Sequence, residues 1–276
     1  MIPRSVGSEG PAPQVRIACA IIDGVDARHA AITFESVSFA YPGRSPVLQD
    51  ISFSIPPGVS AALVGASGVG KSTLLKLINR LLDPETGCVA VDGRDTRTWD
   101  RYVLRRHIGY VLQDVGLFPH QTVEQNVGLV PWLLHWPHAR IQDRTRELLT
   151  LVGLSPDEFA TRWPDELSGG QRQRVGVARA LAADPPILLM DEPFGALDPL
   201  TRRDLQREFL RIQQRLRKTV VLVTHDMAEA RLLADWLGVL DEGALVAWDR
   251  AERVAASRDP RVQPFFESPS QTLGTP

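Results

Sequence analysis

The sequence predicts an α/β fold built around a mainly parallel β-sheet, and three features of the chain support this prediction. Short apolar runs with strand character alternate with segments in which apolar residues recur at helical spacing, as in a parallel sheet crossed by helices. Ala61–Val64 is a continuous apolar run followed at once by Gly65, as expected of a strand buried on both faces. Hydrophobic residues make up 43% of the 276 residues, enough to fill a large core. The other strand-like runs of this sheet are Ile108–Leu112, Ile187–Met190, Thr219–Val223 and Trp236–Leu240.

Turn residues separate the first predicted strands. Apolar residues spaced through Ile32–Phe39 predict strand structure that ends at a Pro42-Gly43 turn. Ile51–Ile55 predicts a further strand, closed by Pro56-Pro57-Gly58. After the buried run, leucine and isoleucine residues keep helical spacing over Leu74–Leu82, which predicts a helix there.

The middle of the chain differs from the parts on either side of it. From about Asp114 to Leu181 it holds helical patterns such as Ile141–Leu151 and no convincing strand. We therefore expect a helical insertion between two halves of the sheet. Beyond it, apolar residues at i, i+4, i+7 and i+11 from Leu205 to Leu216 predict an amphipathic helix.

These patterns divide the chain into one folded domain with an extension at each end. Residues 1–16 contain seven Gly, Pro or Ser residues and no periodicity, which is typical of disorder. We expect a disordered extension over residues 1–30 and a single domain over 31–250, with its helical insertion at about 114–181. A short tail is expected over 251–276.

Composition and charge exclude several functional classes. The 31 basic and 33 acidic residues give a net charge of −2, without the basic excess of a protein that coats nucleic acid. The two cysteines, Cys19 and Cys88, fit neither a disulfide framework nor a zinc site. No run of roughly 20 apolar residues predicts a membrane span, and Ile17–Ile22 is too short for the apolar core of a signal peptide. We expect a cytosolic globular protein without a nucleic-acid partner.

The segment Gly65–Ser72 carries the first chemical motif. It fits the pattern G-x-x-x-x-G-K-[ST] and lies between a predicted buried strand and a helix, as that motif requires. Glycines let the backbone wrap closely around phosphates, and the loop amides and helix N-terminus supply positive potential. Lys71 is expected to reach the β- and γ-phosphates of a nucleotide, and the Ser72 hydroxyl to ligate Mg²⁺. A dinucleotide-binding loop is the weaker interpretation, because Thr73 stands where G-x-G-x-x-G needs a glycine.

Two carboxylates follow the apolar run Ile187–Met190. Asp191, at the end of a predicted buried strand, is suited to hold a hydrated Mg²⁺, and Glu192 is suited to polarise an attacking water. A strand-end Asp-Glu pair without a chemical role is the alternative interpretation. It becomes the less favoured one beside a phosphate-binding loop.

A third motif, Leu167–Gln171, reads Leu-Ser-Gly-Gly-Gln and precedes the helical pattern Val175–Leu181. Ser168, Gly169 and Gly170 make a second helix N-terminus suited to an anion. With this motif, here called the signature, the chain resembles the ATP-binding cassette (ABC) ATPases over about Ile32–Trp248. The matching positions are Tyr41, the phosphate loop (Gly65, Ala66, Ser67, Gly68, Val69, Gly70, Lys71, Ser72 and Thr73), Gln113, the signature (Leu167, Ser168, Gly169, Gly170 and Gln171), Asp191, Glu192, Asp198 and His225.

The resemblance implies both the details of the fold and the way ATP is bound. The fold is a P-loop NTPase core of the RecA-like type, with a small antiparallel β subdomain and the helical insertion as a subdomain. Tyr41 is expected to stack on adenine, and the phosphate loop Gly65–Thr73 to bind the ATP phosphates. Ser72, Gln113 and Asp191 are the expected ligands of Mg²⁺.

Catalytic roles and a partner also follow from the resemblance. Glu192 is the expected general base, with Gln113 near the attacking water and His225 on the γ-phosphate. The signature is expected to serve ATP bound by a second ABC ATPase subunit, because the family closes two ATPs between two cassettes head to tail. Asp198 helps to align the two active sites, and a second copy of this chain is the expected partner.

Three classes of ABC protein are possible for this chain: exporters, soluble cassettes and importers. Exporters usually carry a fused membrane domain, which the sequence lacks, and soluble cassettes acting on DNA or ribosomes usually have coiled coils or two cassettes. The chain has a single phosphate loop and no sustained heptad pattern. We therefore expect an importer ATPase at the cytoplasmic face of the membrane, held by separate permease subunits and served indirectly by a solute-binding protein.

Several stretches resemble the importers of osmoprotectants, which carry glycine betaine, choline or carnitine. They are Ile108–Gln113, Gly116–His120, Thr122-Val123, Trp163–Leu167 and Ala182–Pro199. The resemblance implies a quaternary amine as the solute. Importers of polar amino acids share much of these stretches, so an importer of another small solute stays an alternative, as does a soluble ABC ATPase without a transport role.

Overall fold

The strands form three sheets in the computed structural model, which describes residues 21–22, 25–26 and 29–267. In chain order the strands are β1 (Ile21–Ile22), β2 (Val25–Asp26), β3 (Ile32–Ala40), β4 (Pro46–Ile55), β5 (Ser60–Val64), β6 (Thr86–Val91), β7 (Arg94–Asp95), β8 (Ile108–Val111), β9 (Ile187–Asp191), β10 (Thr219–Thr224), β11 (Trp236–Asp241) and β12 (Ala244–Arg250). The helices are α1 (Lys71–Ile78), α2 (Arg101–Arg106), α3 (Val123–Leu133), α4 (His138–Leu151), α5 (Pro156–Phe159), α6 (Gly169–Leu181), α7 (Pro199–Leu216), α8 (Met227–Leu233), α9 (Ala251–Ala255) and α10 (Gln263–Glu267). Short 3-10 helices occupy Thr96–Thr98 and Pro164–Glu166.

The main sheet has the strand order β12-β11-β5-β10-β9-β8. β12 runs antiparallel to β11, and all the other neighbours are parallel. The register pairs Val64 with Thr224 and Val223 with Asp191, so β5, β10 and β9 end at the same edge. In open α/β sheets this carboxyl edge is where ligands bind. The predicted α/β class with a mainly parallel sheet is confirmed.

A second sheet, with the order β4-β3-β6-β7, is antiparallel throughout. It shares one hydrophobic core with α1 and one face of the main sheet. In this core the rings of Phe34 and Phe53 stack with centroids 4.7 Å apart, and Leu74, Leu75 and Leu77 of α1 are fully buried. Each such leucine stabilises the fold by about 1.5–3 kcal/mol. The core therefore fixes α1, and with it the start of the helix, against both sheets.

The segment 114–181 contains α3, α4, α5 and α6, and no strand occurs among these residues, all of which the structure describes. Val127 of α3, Leu148 of α4 and Val175 of α6 are fully buried in a common cluster. Met190 of β9 belongs to the same cluster, so the helices pack against the face of the main sheet opposite α1.

The helix predicted over Leu74–Leu82 is shorter in the structure. α1 ends at Ile78, and Arg80 takes a left-handed backbone conformation with a φ of 53°. The N–H groups of residues 81 and 82 both donate to the carbonyl oxygen of Lys76, at 2.8 and 3.0 Å. This closing turn satisfies a carbonyl at the helix end. The apolar spacing persists past the helix because Leu82 still packs against the core.

Two tight hairpins lie outside the predicted elements. Asp92-Gly93 joins β6 to β7, and Glu242-Gly243 joins β11 to β12. All four residues have positive φ, at 50°, 69°, 46° and 80° respectively, as two-residue turns between antiparallel strands require. An Asp-Gly pair beside apolar residues is itself a hairpin signal, so the first hairpin was accessible from the sequence.

The two ends of the chain complete the description. A disordered extension is predicted over residues 1–30, of which residues 1–20, 23–24 and 27–28 lie outside the described residues. The described part of that extension contains the paired strands β1 and β2. In the predicted tail, Val254 and Val262 are buried in the same cluster as the helical segment. None of the described helices is long and apolar enough to cross a membrane.

Candidate nucleotide-binding site

The phosphate loop joins β5 to α1 at the carboxyl edge of the main sheet. α1 begins at Lys71, and Gly70 before it has a φ of 112°, which glycine adopts without strain. At Gly65, a Cβ atom would lie 2.5 Å from the carbonyl oxygen of Leu240 on the neighbouring β11. A side chain does not fit at this distance, so the backbone path of the loop requires glycine there.

Lys71 points into the phosphate loop. Its Nζ donates to the carbonyl oxygens of Gly65 at 2.8 Å and Ala66 at 2.9 Å, and the residue is only 5% exposed. Burial lowers the pKa of Lys71, while the carboxylates of Glu192 and Asp191 act in the opposite direction. The loop thus places an ammonium group beside the N-terminus of α1, a combination that attracts phosphate.

Ser72, in the first turn of α1, meets Asp191 at the end of β9. The Ser72 hydroxyl donates to Oδ1 of Asp191 at 2.8 Å, and the Tyr110 hydroxyl donates to Oδ2 at 3.2 Å. Burial is the main reason that the pKa of Tyr110 is raised, which keeps this hydroxyl a donor. Asp191 itself is 8% exposed.

This pair of oxygen donors fits Mg²⁺. A hydroxyl and a carboxylate are hard ligands of the kind that Mg²⁺ takes together with water and phosphate oxygens. Within the described ranges no group of three or more His, Cys, Asp or Glu residues is arranged to hold a metal. A site with few protein ligands suits an ion that is held mainly through a nucleotide.

Glu192 leaves β9 in a left-handed backbone conformation. Its φ is 43°, which is uncommon for residues other than glycine. Two hydrogen bonds hold the turn: the Glu192 N–H donates to the carbonyl of Val223 at 3.0 Å, and the Gly195 N–H donates to the carbonyl of Glu192 at 3.1 Å. Oε2 of Glu192 lies 3.1 Å from Nδ1 of His225. A carboxylate oriented by an imidazole is suited to activate a water, and strained backbone of this kind clusters at functional sites.

Tyr41 contacts the phosphate loop through Thr73, whereas Gln113 makes no such hydrogen bond within the part of the chain that the structure describes. The Tyr41 hydroxyl lies 3.3 Å from Oγ1 of Thr73, and its ring packs edge-on against Phe39 with centroids 5.0 Å apart. Gln113 follows β8 and is exposed. Among the described residues, the side-chain hydrogen bonds of Asp191 come from Ser72 and Tyr110, and Gln113 is not one of the partners of that carboxylate.

The signature forms the start of α6. Oγ of Ser168 accepts a hydrogen bond from the Gln171 N–H at 3.2 Å, and Oε1 of Gln171 accepts one from the Ser168 N–H at 2.8 Å. Gly170 is buried against α7, where a Cβ atom would lie 2.5 Å from Cγ2 of Thr201. Ser168 is exposed, so this helix N-terminus faces outward. No hydrogen bond of the described residues joins Ser168 to the phosphate loop of the same chain.

Asp198 begins α7 on an exposed surface. Its Oδ1 accepts hydrogen bonds from the N–H groups of Leu200 and Thr201, both at 3.1 Å. Hydrogen bonds from Thr201, chiefly, lower the pKa of Asp198. Leu200 is 73% exposed, although a leucine gains free energy when it is buried. An exposed leucine beside a helix start is compatible with a contact surface.

Two residues outside every motif connect these segments. Arg202 donates to three carbonyl oxygens of the turn after Glu192, at 3.1 to 3.3 Å, and lies 3.8 Å from Asp226. Glu229 is buried, and one of its oxygens accepts a hydrogen bond from the Thr224 hydroxyl at 2.9 Å. Burial is the main cause that raises the pKa of Glu229 to about 7. Sequence motifs did not reveal either residue, because both act through hydrogen bonds to segments that the tertiary fold brings beside them.

Comparisons with known proteins agree on one family. A family model described as ABC transporter matches residues 48–195, more than half of the chain. The chain is 51% identical over 215 residues to the choline transport ATP-binding protein OpuBA of Bacillus subtilis, an alignment that covers 78% of this chain and 56% of that protein. It is 50% identical over 215 residues to the glycine betaine uptake system ATP-binding protein YehX of Escherichia coli, covering 78% of this chain and 69% of that one. The chain thus spans little more than half the length of the choline protein.

A solved structure gives the same answer for the fold. The chain is similar to the ATP-binding cassette MJ0796, solved as a dimer in a post-hydrolysis state bound to ADP and Pi. The TM-score is 0.71 at 34% sequence identity, and the alignment covers 80% of this chain and 98% of that one.

Proposed function

Because this chain belongs to the ABC transporter family, we propose that it is the ATP-binding and ATP-hydrolysing subunit of an importer for a quaternary amine such as glycine betaine, choline or carnitine. The family predicted from the motifs is confirmed. One observation carries the proposal: Lys71, the Ser72–Asp191 pair and the Glu192–His225 pair lie at one edge of the main sheet. These are the parts that phosphoryl transfer to water requires.

ATP binding uses the phosphate loop and its neighbours. Lys71 and the loop amides bind the β- and γ-phosphates, and Tyr41, beside the end of the loop, stacks on adenine. Ser72 and Asp191 hold Mg²⁺, with Gln113 as a further ligand. The ion supplies positive charge against the phosphates, which lowers the cost of attack by water.

Hydrolysis is assigned to Glu192, which follows β9, and His225, which follows β10. The Glu192 carboxylate accepts the proton of the water that attacks the γ-phosphate. The left-handed turn and the 3.1 Å contact with His225 fix the direction of that carboxylate. The His225 side chain is 55% exposed and is available to the γ-phosphate.

The active unit in this proposal is a pair of cassettes. Ser168, Asp198 and Leu200 are all exposed, and the N-terminus of α6 faces away from its own core. An outward helix N-terminus stabilises negative charge on a bound anion. In a head-to-tail pair with a second copy, this terminus completes the site around ATP bound at the partner's Lys71.

The solute is inferred from the relatives, because a cassette does not contact the transported molecule. The names of the two relatives give choline and glycine betaine as the solutes of their systems. Both are small quaternary amines, and about half of the aligned residues are identical in each case. We extend that chemical class to this chain.

A combined hydrolysis and uptake experiment tests the proposal. The purified chain should release phosphate from ATP in Mg²⁺ and not in excess EDTA. In proteoliposomes that contain the permease and the solute-binding protein of the same transport system, labelled choline or glycine betaine should accumulate when ATP is supplied. Absence of phosphate release contradicts the ATPase assignment. If ATP is hydrolysed but only another solute accumulates, the assignment to quaternary amines is contradicted. If ATP is hydrolysed and no solute accumulates, the assignment to an importer is contradicted.

A groove on the helical segment fits the permease. It has a volume of about 720 Å³ and runs between α3 and α4, with Gln125, Leu129 and Ile141 among its lining residues. Trp132 also lines it and is 64% exposed, and the nearby Phe118 is 41% exposed. The lining mixes these apolar side chains with polar and charged ones such as His120, Glu124 and Arg146, a combination that is suited to an amphipathic helix. We assign it to a cytoplasmic helix of the permease, which holds the chain at the cytoplasmic face of the membrane.

With a mild oxidant, a cysteine in place of Gln125 is expected to form a disulfide with a cysteine introduced into a cytoplasmic loop of that permease, because Gln125 is exposed on the groove wall. The variant is made in a background where Cys19 and Cys88 are serine, and crosslinks are detected by non-reducing electrophoresis. Arg207→Cys, exposed on α7, is the matched control and should not crosslink. Crosslinks from Arg207→Cys alone contradict the docking surface.

A further inference from the structure

We propose that Tyr110 is a positioning residue for Mg²⁺: its hydroxyl fixes the Asp191 carboxylate in the orientation that meets the ion beside Ser72. The inference rests on the proposed function, because the ion arrives with ATP. Tyr110 lies in the stretch Ile108–Gln113 but has no assigned role there, yet its hydroxyl is one of two that bond to the buried Asp191 carboxylate.

The sheet register brings Tyr110 to this position. β8 lies beside β9, with Tyr110 paired to Leu189. Side chains two residues apart on a strand share a face, so Asp191 is the next residue along β9 on the side of Leu189. Tyr110 and Leu189 pack in the core that also holds α1, whose second residue is Ser72. Tyr110, Asp191 and Ser72 therefore converge on one side of the sheet.

The two oxygens of Asp191 have different partners. Oδ1 accepts from Ser72 at 2.8 Å, and Oδ2 accepts from Tyr110 at 3.2 Å. Ser72 is itself an expected Mg²⁺ ligand, so its hydroxyl changes partner when the ion binds. Tyr110 is not a ligand, and its hydrogen bond is free to persist in both states. The hydrogen bond from Tyr110 then keeps Oδ1 of Asp191 directed towards the position between Asp191 and Ser72 where Mg²⁺ is expected.

Loss of the Tyr110 hydroxyl leaves Oδ2 without this donor in a residue that is only 8% exposed. The terminal torsion of an aspartate is broad, so the carboxylate would turn away from the Mg²⁺ position for part of the time. Groups that orient metal ligands in this way contribute about 10–100-fold to metal affinity. The ring of Tyr110 packs against apolar neighbours, and phenylalanine fills the same space.

The test compares Tyr110→Phe with the unchanged residue in a Glu192→Gln background, which prevents hydrolysis. Each chain is titrated with ATP by calorimetry, once in EDTA and once in excess Mg²⁺. We expect equal ATP affinity in EDTA and a gain on adding Mg²⁺ that is about 10-fold smaller in Tyr110→Phe. Tyr102→Phe, which removes a hydroxyl from a residue 70% exposed on α2, is the matched control and should keep the full gain.

A double-mutant cycle separates positioning from packing. The quantity compared is the increase in ATP affinity on adding Mg²⁺. If the Tyr110 hydroxyl acts through the Asp191 carboxylate, Tyr110→Phe should change this increase much less in a chain that carries Asp191→Asn than in a chain that keeps Asp191. An equal gain in Tyr110→Phe and in the parent chain overturns the inference, as does an equal loss of ATP affinity with and without Mg²⁺. If the parent chain fails to bind ATP, the proposed function fails as well, so the two failures are distinguishable.

Discussion

Replacement of Glu192 by glutamine is expected to lower the ATP turnover of this chain by about 10²–10⁴-fold, the usual contribution of a positioned general base. Glutamine keeps the size of the side chain and an oxygen near Nδ1 of His225, but it does not accept a proton from water. ATP binding should persist, because Lys71 and the Ser72–Asp191 pair are unchanged. Chains with bound ATP should therefore accumulate as dimers.

Phosphate release at saturating MgATP measures the turnover, and light scattering after gel filtration measures the dimer. Glu252→Gln removes an exposed carboxylate on α9 and should leave both quantities unchanged. Wild-type turnover in Glu192→Gln would exclude Glu192 as the base. Loss of ATP binding in that variant would place Glu192 among the binding residues instead.

A mixture of two inactive variants is expected to recover hydrolysis if the signature acts on ATP bound to the other subunit. Lys71→Ala removes the cation of the phosphate loop, and Ser168→Arg blocks the exposed start of α6. In a head-to-tail heterodimer both changes fall in the same composite site. The other site keeps Lys71 from one chain and Ser168 from the other. Random pairing into two-fold dimers should then restore about a quarter of the wild-type rate.

The matched control for this experiment mixes Lys71→Ala with Glu192→Gln. Lys71 and Glu192 serve the same ATP, so each site of that heterodimer carries one lesion and no recovery is expected. Phosphate release is measured after the heterodimers have been confirmed with two affinity tags. Absence of recovery with Ser168→Arg, or recovery in the control mixture, contradicts the arrangement in which the signature acts across the dimer.

Much of the fold follows from patterns that are local in the sequence. The alternation of apolar runs and helical periods predicts the α/β class, which the structure confirms, because burial on both faces of a strand demands a continuous run such as Ala61–Val64. The motif letters of the phosphate loop are equally local, and Gly70 is required by a left-handed turn within the loop itself. Gly65 is required for a different reason, a close contact with the carbonyl oxygen of Leu240 on β11, which is distant in the sequence.

The contacts of the site depend instead on residues that are far apart in the chain. Ser72 and Asp191 are separated by 119 positions, and Glu192 and His225 by 33, yet they lie 2.8 and 3.1 Å apart. No periodicity in a single sequence specifies those distances. They arise because the register of β5, β10 and β9 brings three strand ends to one edge.

The sequence therefore determined the class of the fold, the family and the phosphate loop, because each depends on neighbouring residues or on fixed motif letters. Tertiary structure alone decided where α1 ends, that Tyr110 reaches Asp191, and that Arg202 holds the turn after Glu192. These features depend on strand register and on the packing of helices against the sheet. Strand register and helix packing are determined by the free energy of contacts throughout the core. A local pattern of residues does not specify those contacts.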